Sequence, residues 1–387
     1  MLRSIAVTIA LARVACADCE CGYTVNSTTS PDFALFTDLL ETDFLHLHDI
    51  TWNSTHDAGW IPQAYNVSPS AAGPLGKAAQ LQNVRPNPLA QTSDWGGVGL
   101  NGGDPGLQLV VSSNPITGPS GETLIPMAEI AAARADMLYG SFRIGVKFTT
   151  VPGTCGAAFW YRNDSSEIDA EFLSSQQNAS SRPINLVIQT PASVDAGFDA
   201  AGTPDDFHVQ QLAFAAGDAY HEIRFDWVPG MVRFLVDGQL LREFTAEVPE
   251  APGHVMLNHW SNGNPKWSGG PPAEEAVMTV SYVKAYFNSS DQVRAVEYEA
   301  ACGGDALRRT CQIPDQTAAP DPTGAEGNAT GKTYFFTLDE NKTSGNQTTY
   351  PDASPSKHSG VSRLGPMWAN LVFVVPMMLG FGLLHHV

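Results

Sequence analysis

The chain has 387 residues, of which 43% are hydrophobic and 16% charged. This length and apolar content suit one large domain with a real core, or two ordinary ones, and exclude a disordered protein. Acidic side chains outnumber basic ones by 40 to 21, and the formal net charge of -19 argues against nucleic-acid binding, which relies on clustered Lys and Arg. The content of Gly, Pro and aromatic residues favours many short strands joined by turns, an all-β fold.

The first 17 residues are typical of a secretory signal peptide. They contain an early Arg3, an apolar run from Ile5 to Ala12 and small residues before a cleavage point at Asp18. Export agrees with nine sequons for N-glycosylation, at Asn26, Asn53, Asn66, Asn163, Asn178, Asn288, Asn328, Asn341 and Asn346. We therefore predict a secreted glycoprotein.

Cysteine spacing predicts disulfides that join the two ends of one domain. Cys16 leaves with the signal peptide, and five cysteines remain: Cys19, Cys21, Cys155, Cys302 and Cys311. An odd number in an oxidising compartment implies at least one unpaired thiol. Cys19 and Cys21 are expected to form disulfides with Cys302 and Cys311 and so to join the two ends of the domain. The spacing does not determine which cysteine bonds to which. The middle one, Cys155, is expected to be the unpaired, buried residue.

Short apolar stretches broken by Gly, Pro, Asn and Asp follow one another from about residue 32 to 287. They predict strands at Leu107–Ser112, Gly140–Thr149, Ala157–Tyr161, Glu167–Leu173, Asn185–Thr190, His221–Trp227, Met231–Val236, Val255–Asn258 and Val277–Phe287. One short helix is predicted at Ala128–Met137. A hairpin turn is predicted at Val228-Pro229-Gly230, since Gly tolerates positive φ. Strands without intervening helical periodicity predict two stacked sheets, a sandwich or jelly roll.

One predicted strand carries three acids at alternate positions, Glu167, Asp169 and Glu171. On a strand, this spacing places all three carboxylates on one face, with Ile168 and Ala170 turned toward the core. Crowded like charges cost stability, and no Lys or Arg lies within four residues of the three acids. A pair of carboxylates flanking the scissile bond is what glycoside hydrolysis requires. The alternative is an exposed acidic strand in an acidic protein.

The run Glu167-Ile168-Asp169-Ala170-Glu171 resembles the E-I-D-x-E signature of glycoside hydrolase family 16. Further runs are similar to strands of that family: Leu138–Lys147, Gly156–Arg162, His221–Trp227 with Val236–Gly238, and Met256–Trp260. The resemblance implies a concanavalin A-like β-sandwich (jelly roll) of two antiparallel sheets that hydrolyses or transfers β-glucans with retention. The regular spacing, without the extra residue of E-I-D-x-x-E, resembles lichenases, xyloglucan endotransglycosylases and fungal wall chitin-glucan transferases.

The resemblance also implies residue roles. Glu167 corresponds to the nucleophile, Asp169 to the assisting carboxylate and Glu171 to the general acid/base. Four residues are expected to bind substrate, the aromatic ones by stacking on sugars and the polar ones by hydrogen bonds: Trp160, Arg162, Asn258 and Trp260. Core packing, or a solvated charge at Arg162, is the alternative for these four.

No cofactor or metal is predicted. His46 and His48 alternate as metal ligands on a strand can, but no third ligand is identifiable, and a surface strand is the preferred interpretation. No Ser-His-Asp elbow, phosphate loop or dinucleotide fingerprint is visible.

The sequence after residue 315 changes in character. Residues 316–360 are rich in Pro, Thr, Ser, Gly, Asp and Asn, which predicts a disordered, glycosylated stalk after a catalytic domain at residues 18–315. Residues 361–387 contain an uncharged run, Met367–Leu384, followed by three residues without Lys or Arg. A glycosylphosphatidylinositol (GPI) signal tail is favoured over a membrane span, with attachment at Ser359 or Gly360.

These features predict a retaining endo-β-glucan hydrolase or transglycosylase that is secreted and GPI-anchored at the cell surface or wall. Its expected partners are β-glucan or a related wall polysaccharide and, through the lipid anchor, the membrane. The alternatives are a lectin-like module that binds glucan without cleaving it and a mainly structural wall glycoprotein.

Overall fold

The computed structural model describes residues 18–50, 59–70, 73–197, 205–304, 306–339 and 341–343, all within one compact unit. Several predicted features lie outside these residues: the signal peptide with Cys16, the sequons at Asn53 and Asn346, stalk residues 344–360 with the candidate attachment residues, and the anchor tail at 361–387. None of the described helices has the length and apolar character needed to cross a membrane.

The described residues are built mainly from strands. The strands are β1 (Tyr23–Val25), β2 (Ala34–Phe36), β3 (Asp38–Asp43), β4 (Trp60–Pro62), β5 (Tyr65–Val67), β6 (Gly76–Ala79), β7 (Val84–Asn87), β8 (Gly106–Val111), β9 (Ile116–Thr117), β10 (Thr123–Ala132), β11 (Met137–Lys147), β12 (Cys155–Asn163), β13 (Ser166–Leu173), β14 (Pro183–Gln189), β15 (Phe207–Gln211), β16 (His221–Val228), β17 (Met231–Val236), β18 (Gln239–Phe244), β19 (His254–Trp260), β20 (Ala276–Ser289) and β21 (Cys311–Gln312). The α-helices are α1 (Pro191–Asp195), α2 (Gln292–Cys302) and α3 (Gly327–Thr330).

Two large sheets stack on each other. The ten-stranded front sheet has the order β15-β14-β13-β12-β19-β10-β6-β5, with β4 and β9 paired to β10. The eight-stranded back sheet has the order β18-β17-β16-β11-β20-β8-β7, with β3 paired to β20. Buried apolar side chains of both sheets form one continuous core, which includes Phe142, Phe225, Ile168 and Phe172. The predicted all-β sandwich is confirmed.

Local sequence explains the hairpin between β16 and β17. Val228 pairs with Met231 across the turn, and Gly230 has a φ of 74°. Glycine adopts this left-handed conformation without steric cost, so the predicted turn is confirmed.

The helix predicted at Ala128–Met137 is wrong. This stretch is the end of β10 and the start of β11. Alternate residues of β10, including Ala128 and Ile130, enter the core, while Glu129 points to the opposite face. The helix propensity of Ala and Glu is small compared with pairing to a strand on each side, so tertiary context prevails.

Disulfides connect the two ends of the sandwich as predicted. Cys19 bonds to Cys311 and Cys21 bonds to Cys302, which settles the pairing that the sequence left open. Cys155 is buried and unpaired, as expected. His46 and His48 follow the end of β3 and lie outside any strand, which corrects the predicted surface strand.

The chain after β21 packs against the back sheet. We call residues 314–339 the C-terminal segment. Within it, Phe335 and Phe336 are buried, and the hydroxyl of Thr333 accepts a hydrogen bond of 2.6 Å from Nζ of Lys284 on β20. For residues 316–339, this packing corrects the predicted disordered stalk, because two adjacent aromatic side chains give an otherwise polar segment apolar surface to bury.

Candidate active site

The three acids of β13 lie on one face of the front sheet, as their spacing predicts. Ile168, Ala170 and Phe172 of the same strand are buried between the sheets, so Glu167, Asp169 and Glu171 point the other way. We call this side of the front sheet the carboxylate face. Asp169 is 4% exposed, and the two glutamates are partly exposed on either side of it.

Strand pairing around the acids is regular. On β12, Tyr161, Phe159 and Ala157 lie opposite Glu167, Asp169 and Glu171, and on β14 their partners are Gln189, Val187 and Asn185. The β12–β13 register shifts only beyond Tyr161, so no bulge separates the two glutamates. The carboxylates therefore keep the plain two-residue repeat of a strand.

Glu167 and Asp169 share a hydrogen bond and influence each other's protonation. Burial, followed by the charge of Glu167, raises the pKa of Asp169 well above its ordinary value. Burial also raises the pKa of Glu167 to about 8, while the hydrogen bond with Asp169 acts in the opposite direction. Ionisation of both carboxyl groups at this distance is unfavourable, so the pair holds at least one proton at neutral pH. A protonated Asp169 can then donate to an ionised Glu167.

Glu171 has a different environment. Its Oε1 accepts a hydrogen bond from the thiol of Cys155 at 3.2 Å and from Nε1 of Trp267 at 3.4 Å. Burial raises the pKa of Glu171, while these two donors and the nearby charge of Lys77 lower it. The two glutamates of β13 are thus distinguished by their partners, which is the condition for different acid/base roles.

A fourth carboxylate on this face escaped the sequence analysis. Glu129 lies on β10, and across the sheet it shares one row with Asn258, Ala157 and Glu171. Its carboxylate accepts hydrogen bonds from the hydroxyl of Tyr65 at 2.9 Å and from Nδ2 of Asn258 at 3.3 Å. The available signal was a single acid between Ala128 and Ile130 in an apolar stretch, which the helix prediction obscured.

Two of the four predicted substrate-binding residues lie on the carboxylate face. Asn258 is in the row just described, and its Oδ1 is buried without a hydrogen-bond partner among the described residues. Trp260, at the end of β19, is partly exposed. Nζ of Lys77 lies 4.5 Å from its ring centroid and covers one face of the indole.

Trp160 and Arg162 do not join the carboxylates. Trp160 is completely buried in the core, its ring lies 4.4 Å from that of Trp227, and its indole donates to the carbonyl of Met137. Arg162 is exposed at the end of β12 and donates to the carbonyl of Pro252 at 3.2 Å. Tyr161 is the β12 residue opposite Glu167, so both of its sequence neighbours alternate to the other side of the strand.

Trp267 is an aromatic residue that the sequence analysis missed. It lies in the loop between β19 and β20, where its ring is 6.1 Å from that of Phe207 on β15. A tryptophan in a loop rich in Gly and Pro has no periodicity that would associate it with β13. Its proximity to Glu171 arises from the tertiary structure.

Comparison with known proteins shows that part of the chain is similar to one enzyme family. Residues 127–284 match the family model for glycosyl hydrolases family 16. The chain is 27% identical to a beta-glucanase of Bacillus licheniformis over 156 residues, which are 38% of this chain and 58% of the relative. It is 31% identical to a beta-glucanase of Bacillus amyloliquefaciens over 137 residues, which are 34% and 52% of the two chains. The chain thus spans little more than half the length of these curated relatives.

Among solved structures, the chain is similar to the beta-glucanase of Bacillus licheniformis, with a TM-score of 0.46 and 18% identity over 64% of this chain and 97% of that one. Another is the apo form of Crh5 transglycosylase, with a TM-score of 0.41 and 15% identity over 70% and 91% of the two chains. The segment matched by the family model includes all of β13 together with Glu129, Asn258 and Trp267. In sequence, residues 127–284 are therefore similar to glycosyl hydrolases family 16.

Proposed function

We propose that this protein is a glycosidase that cleaves β-glucan of cell walls with retention of configuration, as an endo-acting hydrolase or a transglycosylase. The observation that carries the proposal is the placement of Glu167 and Glu171 on one face of one strand, with the buried Asp169 between them. The matched relatives are beta-glucanases, which supports β-glucan as the substrate class.

The chemistry follows from the two carboxylate environments. In its ionised form, Glu167 accepts a hydrogen bond from Asp169 and attacks the anomeric carbon, forming a glycosyl-enzyme ester as the glycosidic bond breaks. Glu171 gives its proton to the departing oxygen in the same step. It then takes a proton from water or from an acceptor sugar, whose oxygen attacks the anomeric carbon and releases Glu167 as a carboxylate. Water yields hydrolysis and a sugar yields transfer.

Other groups on the carboxylate face suit a sugar chain. Oδ1 of Asn258, which has no hydrogen-bond partner within the described part of the chain, can accept a hydrogen bond from a sugar hydroxyl. The Glu129 carboxylate beside it offers further acceptors. Trp260 and Trp267 provide partly exposed aromatic surface for stacking on sugar rings. We assign these four residues to substrate binding.

We also propose the regular E-I-D-x-E branch of the family and a secreted, GPI-anchored, fungal-type protein located at the cell surface or wall. Two disulfides between the chain ends support an oxidising compartment. The apolar residues Met367–Leu384 and the signal-like residues 1–17 are the sequence features behind the proposed anchor and export.

Incubation of purified protein with mixed-linkage glucan, laminarin and chitin oligomers tests the proposal. Mass spectrometry with a labelled acceptor sugar separates hydrolysis from transfer. Glu167→Gln should abolish product formation, whereas Glu250→Gln, at an exposed position, should not change it. A lectin-like protein would bind glucan equally well in both variants and release no product in either.

Azide tests the individual roles of the two glutamates on an activated aryl glycoside. In Glu167→Ala, azide can enter on the side of the missing nucleophile and give an α-glycosyl azide. In Glu171→Ala, it attacks the glycosyl-enzyme from the opposite side and gives a β-glycosyl azide. The reverse pattern would exchange the two assignments.

A further inference from the structure

Two hydrogen-bond donors converge on a single oxygen of Glu171. Sγ of Cys155 lies 3.2 Å from Oε1, and Nε1 of Trp267 lies 3.4 Å from the same atom. The thiol comes from β12, directly beside β13, and the indole comes from the loop after β19. An indole N–H can only donate, so Oε1 is an acceptor in this arrangement.

Cys155 is equipped to act as a donor. It is completely buried and forms no disulfide with any cysteine that the structure describes. Burial, followed by the charge of Glu171, raises the pKa of the Cys155 thiol well above its ordinary value. The sulfur therefore keeps its proton in the pH range in which glycosidases operate, and the S–H bond points to the carboxyl group as a neutral donor.

We propose that Cys155 and Trp267 are positioning residues that give the two oxygens of Glu171 separate tasks, an inference that rests on the proposed function. Because Oε1 already accepts two hydrogen bonds, the acid proton of the protonated form of Glu171 resides on Oε2. That proton passes to the glycosidic oxygen, and the carboxylate that remains stays anchored through Oε1. In the second step, Oε2 receives a proton from water or the acceptor sugar.

The same pair of donors affects the switch between acid and base. Burial favours the neutral form of Glu171, while the thiol and the indole favour its ionised form. A group that must first lose and then regain a proton works best when neither form is strongly preferred. Removal of either donor should therefore shift the balance toward the protonated form.

Substitutions at Cys155 test the thiol. Cys155→Ala should move the basic limb of the pH profile of kcat/KM upward by about 0.5–1 pH unit and lower kcat on β-glucan about three- to tenfold. Cys155→Ser keeps a donor of similar size and should restore most of both. An aryl glycoside with a leaving group that needs no proton should lose less rate than β-glucan in the Ala variant. A purely structural role would reduce both substrates equally and leave the pH profile in place.

Substitution of Trp267 tests the indole. Trp267→Phe keeps the ring and removes the N–H group, so it should move the basic limb in the same direction as Cys155→Ala. Trp95→Phe is the matched control, because Trp95 packs against Phe335 of the C-terminal segment, and it should leave the profile unchanged. Unchanged profiles in both the Cys155 and Trp267 variants would overturn the inference.

The infrared S–H stretching band gives a readout that does not depend on turnover. A difference spectrum between the parent protein and Cys155→Ala isolates this thiol. Its band should move to lower frequency as Glu171 ionises, and Glu171→Gln should abolish that movement. A band insensitive to Glu171→Gln would refute the hydrogen bond and the inference with it. An inactive parent protein whose band still follows Glu171 would instead count against the proposed function.

Discussion

The hydroxyl of Tyr65 donates a hydrogen bond of 2.9 Å to the carboxylate of Glu129. Tyr65 lies on β5, at the edge of the front sheet and before the segment matched by the family model. The N-terminal part of the chain thus contributes to the carboxylate face. Burial raises the pKa of Glu129, and the bond from Tyr65 opposes this by stabilising the ionised form.

Tyr65→Phe should weaken substrate binding. Loss of the hydroxyl leaves Glu129 with a less ionised, less fixed carboxyl group, and we expect kcat/KM on β-glucan to fall about five- to tenfold, mainly through KM. Steady-state kinetics measure this change. Tyr334→Phe, at an exposed tyrosine of the C-terminal segment, serves as control. An equal effect in both variants would contradict a role for Tyr65 in binding.

The buried carboxyls should make the protein less stable as pH rises. The pKa of Glu167 is about 8 in the folded protein against an ordinary value of 4.5, so the folded state retains a proton that the unfolded chain has lost between these values. Stability present below about pH 4.5 is therefore lost as pH increases toward 8. Thermal unfolding across this range measures the slope.

Glu167→Gln removes one contributor to this slope. We expect the variant to unfold at least about 2 °C above the parent at pH 8 and to differ less at pH 4.5. Glu250→Gln, an exposed substitution of the same type, should follow the parent curve. A Glu167→Gln variant that loses stability with pH as steeply as the parent would argue against the raised pKa.

Truncation of Trp160 should affect stability, whereas truncation of Trp260 should affect substrate binding. Trp160→Ala opens a large cavity in the core and should lower the free energy of unfolding by about 3–5 kcal/mol. Trp260→Ala should change stability little but raise KM about fivefold through lost sugar contact. Chemical denaturation and steady-state kinetics separate the two effects. A Trp160→Ala variant that keeps its stability but has a raised KM would instead support the prediction that Trp160 stacks on sugars.

The C-terminal segment should contribute to stability through Phe336. This side chain is 2% exposed and packs with Tyr23 and Tyr286, so Phe336→Ala should cost about 3–5 kcal/mol. Leu338→Ala, two residues later at 52% exposure, should stay within about 0.5 kcal/mol of the parent. Equal effects would mean that the segment is solvated, as a stalk would be.

Local periodicity alone determined much of the catalytic strand. Because side chains alternate along any strand, the spacing of Glu167, Asp169 and Glu171 was enough to place all three on one face, whatever β13 pairs with. The turn at Gly230 was likewise predictable from sequence, because it depends on short-range backbone geometry. Disulfides near both ends of the chain were predictable because they depend on the redox compartment.

Relations between distant strands were decided only by the tertiary structure. Alternation within β12 requires Trp160 and Tyr161 to face opposite ways, but the register with β13 decides which of them faces Glu167. Glu129 and Trp267 reach the carboxylate face through pairing and loop packing across more than forty residues of chain, for which no local pattern exists. The ordered structure of the C-terminal segment likewise depends on the burial of Phe335 and Phe336 against the back sheet.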